Sequence, residues 1–356
     1  QPPPDEPTVI GDDICARGAS DAKGQLFIHV KAIDSEGGTV GALPVNVKCI
    51  FEGEEESGSP SLETFIAAHA GMLSSDVAVI SDTHFLSEEV PSIVYALRGM
   101  AYVEVSVTGP ENDLHSGTYG GAVHNPIHAL CAMIAKLHDQ QGRIAIPGFY
   151  DKVRALSQAE RTELARIPFE HDAWLREAGV KADWGEETYT IIERTSARPT
   201  LDVNGIWGGY IEPGAKTVLP SKAFAKISMR LVPEQDPDEI AGLIQEYLHR
   251  SAPPTIDVEV QAFPGSEAAI VGRDGQAMTA AREALARAFG SDPVLIRAGG
   301  SIPVVTALQK LLGIETILMG FGLPDDRLHA PNEKFHLPNY YRGISAVIHF
   351  LAELSK

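Results

Sequence analysis

At 356 residues the chain is too long for one small core and predicts two domains, on a prior of about 150 residues each. Its 44% hydrophobic content and 33 glycines are those of a globular protein, and no apolar run approaches the ~20 residues of a membrane span. Its 48 acidic against 29 basic side chains give a formal charge of -19, which repels phosphate backbones and anionic lipid surfaces, so neither nucleic acid nor a membrane is expected as a partner.

The chain opens Q-P-P-P-D-E-P, without an initiator Met, a basic n-region or an apolar h-region, and a preceding segment is expected. Cys15, Cys49 and Cys131 are odd in number, widely spaced and set in mostly apolar surroundings. They predict buried thiols in a reducing, cytoplasmic compartment in place of a disulfide framework.

Residues 24–33, G-Q-L-F-I-H-V-K-A-I, read as a helix after a Gly/Ser/Asp turn. Pro44 to Phe51 is short, β-branched and nearly continuous in its apolar character, as a strand buried on both faces is. The acidic run E-G-E-E-E-S-G-S follows, and Ser59 with Pro60 predicts a helix start with Ser59 as the cap. The run D-V-A-V-I-S then predicts a second buried strand ending at Asp82. Strand, polar loop, helix and strand in that order imply a mostly parallel sheet with helices on both faces.

From Gly99 the texture changes. A-Y-V-E-V-S-V-T alternates strictly, as a strand with one wet face does. Asn125 predicts the cap of a helix from Pro126, with Ile127, Leu130, Ile134 and Leu137 on one stripe. A long helical insertion is expected over 140–200, then strands at L-D-V-N-G-I-W and A-F-A-K-I-S-M-R-L-V, a helix at I-A-G-L-I-Q-E-Y-L, and an alternating strand, T-I-D-V-E-V-Q-A-F. The order is βαββαβ, a compact α+β unit set into the first domain. Gln276 to Phe289 predicts a helix, T-I-L-M-G-F a strand, and I-S-A-V-I-H-F-L-A-E-L a closing helix that returns the chain to the α/β layer. The domains are therefore read as 1–97 and 266–356 for the α/β layer and 98–265 for the insertion.

Four polar clusters border apolar elements of that layer: R-G-A-S-D-A-K-G around Asp21, the acidic run, S-D-T-H around Asp82, and D-D-R-L-H-A-P-N-E around His329. In open α/β sheets ligands bind beyond the carboxyl ends of strands, where such loops can converge. Carboxylates with an imidazole make an oxygen/nitrogen site suited to Zn²⁺ or Mn²⁺. Taken singly, each cluster reads as ordinary: Asp21 and Asp82 as turn or cap residues, the glutamates as a solvated loop, and His329 as a surface imidazole.

Taken together, R-G-A-S-D-A-K-G, E-G-E-E-E-S-G-S, S-D-T, D-L-H-S-G-T-Y-G-G, A-K-T-V-L-P-S-K, R-L-V-P and H-A-P-N-E occur in the order and approximate spacing of a known pattern. The chain resembles the M20 family of metallopeptidases from Ala16 onwards, most closely its dipeptidase branch. The resemblance implies two divalent ions, Zn²⁺ or Mn²⁺. Asp21 would bridge them, Glu56 and His329 would complete one shell, Asp82 would belong to the other, and Glu55 would be the general base. It further implies a homodimer through an inserted lid, with His115 reaching the partner's cleft to stabilise the oxyanion. Arg230 would clamp the substrate's C-terminal carboxylate, with Ser301 and Thr217 as weaker candidates for that subsite. Glu52 and Glu54 are left as outer-shell or solvated charges.

The family's H-x-D motif has no counterpart among residues 1–20, so the second ion site is expected to be incomplete in this chain and an N-terminal part of the catalytic domain to precede it. The expected activity is metal-dependent hydrolysis of dipeptides or short peptides with a free C-terminal carboxylate. The alternatives are an N-acyl amino-acid deacylase or desuccinylase of the same family, and a non-catalytic dimeric relative.

Overall fold

The computed structural model describes residues 3–356. Two short antiparallel strands open it, β1 (Thr8–Ile10) and β2 (Asp13–Cys15). After a tight turn over Ala19–Gly24 comes α1 (Gln25–Val40), closed by Gly41 in the left-handed region, where a residue without Cβ is unstrained. The expected helix is therefore present and longer than the apolar run that announced it.

The segment 44–51 is not the predicted buried strand. Among the described residues it pairs with no strand, and Val47, Ile50 and Phe51 are exposed. An apolar run becomes a buried strand only where sheet neighbours and covering helices exist for it, and the run itself does not encode them. The predicted helix start shifts as well. Ser59 adopts φ 49, and α2 (Leu62–Ala68) begins after Ser61, whose N–H and hydroxyl both donate to the Glu54 carboxylate at 3.1 and 3.2 Å. A glutamate from the preceding loop has replaced the local cap. The short α3 (Ala70–Leu73), β3 (Val77–Ile80) and β4 (Ser92–Leu97) follow.

One residue after β4 the chain enters a second sheet. Its first strand, β5 (Gly99–Thr108), alternates buried and half-buried along its whole length, as its sequence does. Next come β6 (Leu114–His115), α4 (Ser116–Tyr119) and α5 (Pro126–Ile134), whose Asn125 side chain accepts from the Ile127 N–H at 2.9 Å. The expected helical insertion is only partly helical: α6 (Gln158–Leu164), α7 (His171–Ala178) and α8 (Ile191–Ser196) are short and separated by irregular chain. β7 (Thr200–Gly208), β8 (Val218–Leu219), β9 (Lys222–Leu231), α9 (Pro237–Ser251) and β10 (Asp257–Ser266) complete the block. The four long strands form one antiparallel sheet in the order β10-β5-β9-β7, with α5 and α9 packed on its apolar face through Leu130, Met133, Ile240 and Ile244.

The chain then returns through β11 (Ala269–Ile270), α10 (Gln276–Phe289), β12 (Val294–Ala298), α11 (Pro303–Leu312), β13 (Glu315–Leu318), β14 (Lys334–His336) and α12 (Leu337–Leu354). The five-stranded sheet is parallel where β13 meets β3 and where β12 meets β4, and antiparallel where β4 meets β13 and β11. Helices cover both faces: α1, α10 and α12 bury one core with Ile28, Met278 and Phe350, while α2, α3 and α11 bury a smaller one with Ile66, Leu73 and Leu308.

Of the three thiols only Cys15 is buried. Cys49 lies in the exposed segment that replaced the predicted strand, and Cys131 faces outward from α5. All three are free. No described helix is long and apolar enough to cross a membrane.

The irregular insertion is anchored to the five-stranded sheet by Glu160, only 2% exposed. Its carboxylate accepts from Ser157, from Arg154, and from Arg297 of β12 at 2.6 Å. Burial alone would raise its pKa, but the Ser157 N–H and the Arg297 guanidinium outweigh burial and hold it at about 2. A depressed carboxylate stabilises the fold fully above its ordinary value of 4.5, and that contribution is lost as pH falls from there towards 2. Glu160→Ala strands Arg297 and is expected to cost about 3 kcal/mol, read as a lowered urea midpoint at pH 7. At pH 2 to 3 the difference from wild type should shrink.

Candidate metal centre

The three residues predicted to share an ion come together from distant parts of the chain. His329 Nε2 lies 2.9 Å from Asp21 Oδ2 and 3.1 Å from Glu56 Oε2. One donor atom from each of Asp21, Glu56 and His329 falls within 4.8 Å of the others. Ligand atoms about 2.0–2.2 Å from one tetrahedral ion stand roughly 3.3–3.6 Å apart. The two imidazole–carboxylate separations, 2.9 and 3.1 Å, are hydrogen-bond distances a few tenths of an ångström short of that spacing, and the two carboxylates and one imidazole have the donor chemistry of a divalent ion such as Zn²⁺ or Mn²⁺.

Each ligand is placed by its own loop. Asp21 follows the turn that leads into α1, and that turn is held from behind by Glu333, 2% exposed, whose carboxylate accepts from the Gly18, Ser20 and Asp21 N–H groups at 2.8, 3.0 and 2.9 Å. Arg17 reaches Glu333 at 3.5 Å and the second oxygen of Glu56 at 3.1 Å, joining the Asp21 turn to the glutamate loop. In that loop Glu55–Ser57 make a single 3₁₀ turn ending at Gly58. Glu52 accepts from the Ser59 hydroxyl at 3.0 Å and Glu54 holds the start of α2. Two of the four glutamates fix the loop, which leaves Glu55 and Glu56 for the site.

His329 sits in a strained loop after β13. Arg327, His329 and Asn332 all adopt φ between 55 and 66, which non-glycine residues hold only when their surroundings enforce it. Here Asp326, fully buried, accepts from the Ser20 hydroxyl at 2.6 Å and from the Leu323 N–H at 2.8 Å, and the Lys334 N–H closes the loop on the Asp326 carbonyl. The Asp21 turn and the His329 loop therefore brace each other through Ser20–Asp326 and Glu333. Sequence reasoning missed Arg17, Glu333 and Asp326 as supports, although the first two lie at the margins of R-G-A-S-D-A-K-G and H-A-P-N-E.

Asp82 stands outside the triad, just beyond the carboxyl end of β3. Burial, then the charges of Asp21, Glu55 and Glu56, push its pKa up to about 7. Glu55 is raised by burial and by Glu56, Asp21 and Glu52, and Asp21 by burial and Glu56. Asp21, Glu55 and Asp82 are thus each raised in part by the negative charge of their neighbours, a repulsion that a bound cation would relieve.

The remaining candidates are not at the triad within this chain. His115 and Thr217 lie together at the small two-stranded β6–β8 sheet, where His115 pairs with Val218 and the Ser116 N–H donates to the Thr217 carbonyl at 3.1 Å. His115 caps α4, accepting from the Gly117 N–H at 3.0 Å through Nδ1, and its ring is exposed. A Cβ at position 117 would stand 2.7 Å from the ring, so this geometry needs glycine there. Arg230, near the end of β9, and Ser301, two residues before α11, gather around Arg98.

A mixed α/β layer that carries a carboxylate–imidazole group, interrupted by an antiparallel α+β unit, has the parts a metal-dependent hydrolase needs. Residues 95–256 match the family profile described as a peptidase dimerisation domain. Over 357 residues the chain is 32% identical to the Beta-Ala-His dipeptidase of Rattus norvegicus, covering 98% of this chain and 72% of the relative. It is 33% identical over 344 residues to a Cys-Gly metallodipeptidase of Schizosaccharomyces pombe, covering 95% and 72%. Among solved structures it superposes on an M20 family metallo-carboxypeptidase from Sulfolobus solfataricus with a TM-score of 0.87 at 32% identity, covering 98% of this chain and 79% of that one. Human carnosine dipeptidase 1 gives a TM-score of 0.81 at 31% identity, covering 99% and 75%. The chain belongs to the M20 family of metallopeptidases, and its cofactor is a divalent metal.

Proposed function

We propose that the protein hydrolyses the amide bond of dipeptides or short peptides bearing a free C-terminal carboxylate, with Glu55 as the general base. The observation that carries this reading is the Asp21/Glu56/His329 triad with Glu55 adjoining it. The dipeptidase names of the relatives support the substrate class. We assign residues 1–97 and 266–356 to the catalytic domain and 98–265 to the lid, a division supported by the two separate sheets and cores.

We assign two divalent ions, Zn²⁺ or Mn²⁺, which Asp21, Glu56, His329 and Asp82 would hold. Bound there, divalent ions polarise a carbonyl and bring the pKa of water towards neutrality. Glu55 takes the proton of the attacking water and returns it to the departing amine, a task for a carboxylate within hydrogen-bond reach. Arg230, with Ser301 and Thr217, holds the substrate carboxylate, for which a guanidinium fork is suited.

The dimer is formed through the lid. β7 is an edge strand of that sheet, and Val203, Ile206, Trp207 and Ile211 on and beyond it are exposed, as apolar residues awaiting a partner are. The partner subunit's His115 then completes the cleft. The free thiols suit a cytoplasmic location.

The test is turnover of a dipeptide panel against a panel of N-acyl amino acids, with Zn²⁺ or Mn²⁺ supplied. Dipeptides are expected to be cleaved with the higher kcat/KM. Preference for the N-acyl amino acids would assign the chain to deacylase chemistry instead.

A further inference from the structure

The chain passes from the five-stranded sheet to the lid sheet through one residue, Arg98, between β4 and β5. Its N–H donates to the Gly300 carbonyl at 3.1 Å and its Nε to the Gly299 carbonyl at 3.4 Å. A Cβ at position 299 would stand 3.0 Å from Nη2, so the Gly299–Ser301 loop lies directly against the guanidinium. Nη1 is buried and, among the described residues, has no hydrogen-bond partner.

A second guanidinium is close by. The β5–β9 register places Met100 opposite Arg230, which makes Arg98 and Arg230 diagonal neighbours on one face of the lid sheet. Among the described residues neither makes an ion pair within 4.0 Å, whereas the arginines of the 140–200 insertion that approach carboxylates all do. Burial and then the charge of Arg230 lower the pKa of Arg98 to about 10, with Asp202 opposing them. A buried guanidinium nitrogen without an acceptor, beside a second unpaired guanidinium, is a site lacking its anion.

We propose that Arg98 is the second arm of the carboxylate clamp, its Nη1 donating to the substrate's C-terminal carboxylate alongside Arg230, while its backbone N–H and Nε hold the Gly299–Ser301 loop in place. This rests on the reading of the substrate given above.

The experiment compares a dipeptide with its C-terminal amide on the metal-loaded wild type, Arg98→Gln, Arg98→Lys and Arg230→Gln. Wild type should prefer the free acid. Arg98→Gln should lose about 10- to 100-fold in kcat/KM for the acid, mainly through KM, as expected for one charge-assisted hydrogen bond. Its kcat/KM for the amide should stay within about twofold. Arg98→Lys, which keeps the charge without the fork, should fall between, and it supplies the same ratio should the glutamine variant fail to fold. Equal losses on acid and amide would make Arg98 a structural staple and overturn the proposal. An acid preference abolished in Arg230→Gln but intact in both Arg98 variants would overturn it while leaving the substrate reading standing. A wild type indifferent to the carboxylate would remove that reading and this proposal together.

Discussion

Glu55→Gln is expected to lower kcat by about 10²- to 10⁴-fold, with bound metal unchanged. The two halves of that result come from different neighbours. Glu56, not Glu55, shares His329 with Asp21 in the triad, so the shell around the ion survives the substitution. Gln at 55 keeps the size and the hydrogen-bonding capacity of the side chain but cannot take a proton. KM for a dipeptide should change little, because the carboxylate clamp is elsewhere in the fold. His329→Ala is the necessary contrast: it removes a ligand, and metal content measured after dialysis should fall together with activity. If Glu55→Gln turned over substrate at the wild-type rate, Glu55 would not be the base. Loss of metal from Glu55→Gln would instead make it a ligand.

How much of this was legible in the sequence depends on how local each signal was. The alternation of β5, the Asn125 cap and the stripe of α5 are written within a few residues, and they appear in the fold where the sequence puts them. The βαββαβ order followed from such signals. The parallel pairings β3–β13 and β4–β12 join segments more than 200 residues apart, and the antiparallel meeting of β4 with β13 left no mark in either strand. β4 itself, fully buried, was missed, and so were β12 and α11. The run 44–51 failed in the opposite sense: its composition is that of a core strand, yet among the described residues β3 forms that sheet edge and nothing pairs beyond it.

The candidate metal ligands are legible only when four motifs are weighed jointly, and their supports leave no such trace. Glu333 and Asp326 hold the Asp21 turn through backbone N–H groups and a hydroxyl some 300 residues away. A carboxylate that caps a distant turn has no sequence signature, since any turn with free N–H groups can use one. Arg98 was passed over for a related reason. Its proposed role starts from an Nη1 without an acceptor among the described residues, which only three-dimensional packing exposes.

The second large effect concerns the lid. His115→Ala is expected to reduce kcat by about 10²- to 10³-fold, the usual consequence of removing one oxyanion donor. Within one chain this is unexpected, because His115 is exposed on the two-stranded β6–β8 sheet and its Nδ1 is occupied by the Gly117 N–H. Only the outward edge of the ring, with Nε2, is left to act on another subunit. Mixing therefore discriminates. The His115→Ala and Glu55→Gln variants should each be nearly inactive alone. Equimolar mixing with subunit exchange should make half of the dimers mixed, each with one site carrying both an intact base and an intact imidazole, and restore about a quarter of wild-type activity. Recovery should require exchange, appearing over time or after mild dissociation and not on simple addition. A mixture that stays inactive although mass analysis finds mixed dimers would place His115 in the cleft of its own chain, and the β7 edge would then need another explanation for its exposed Ile206 and Trp207.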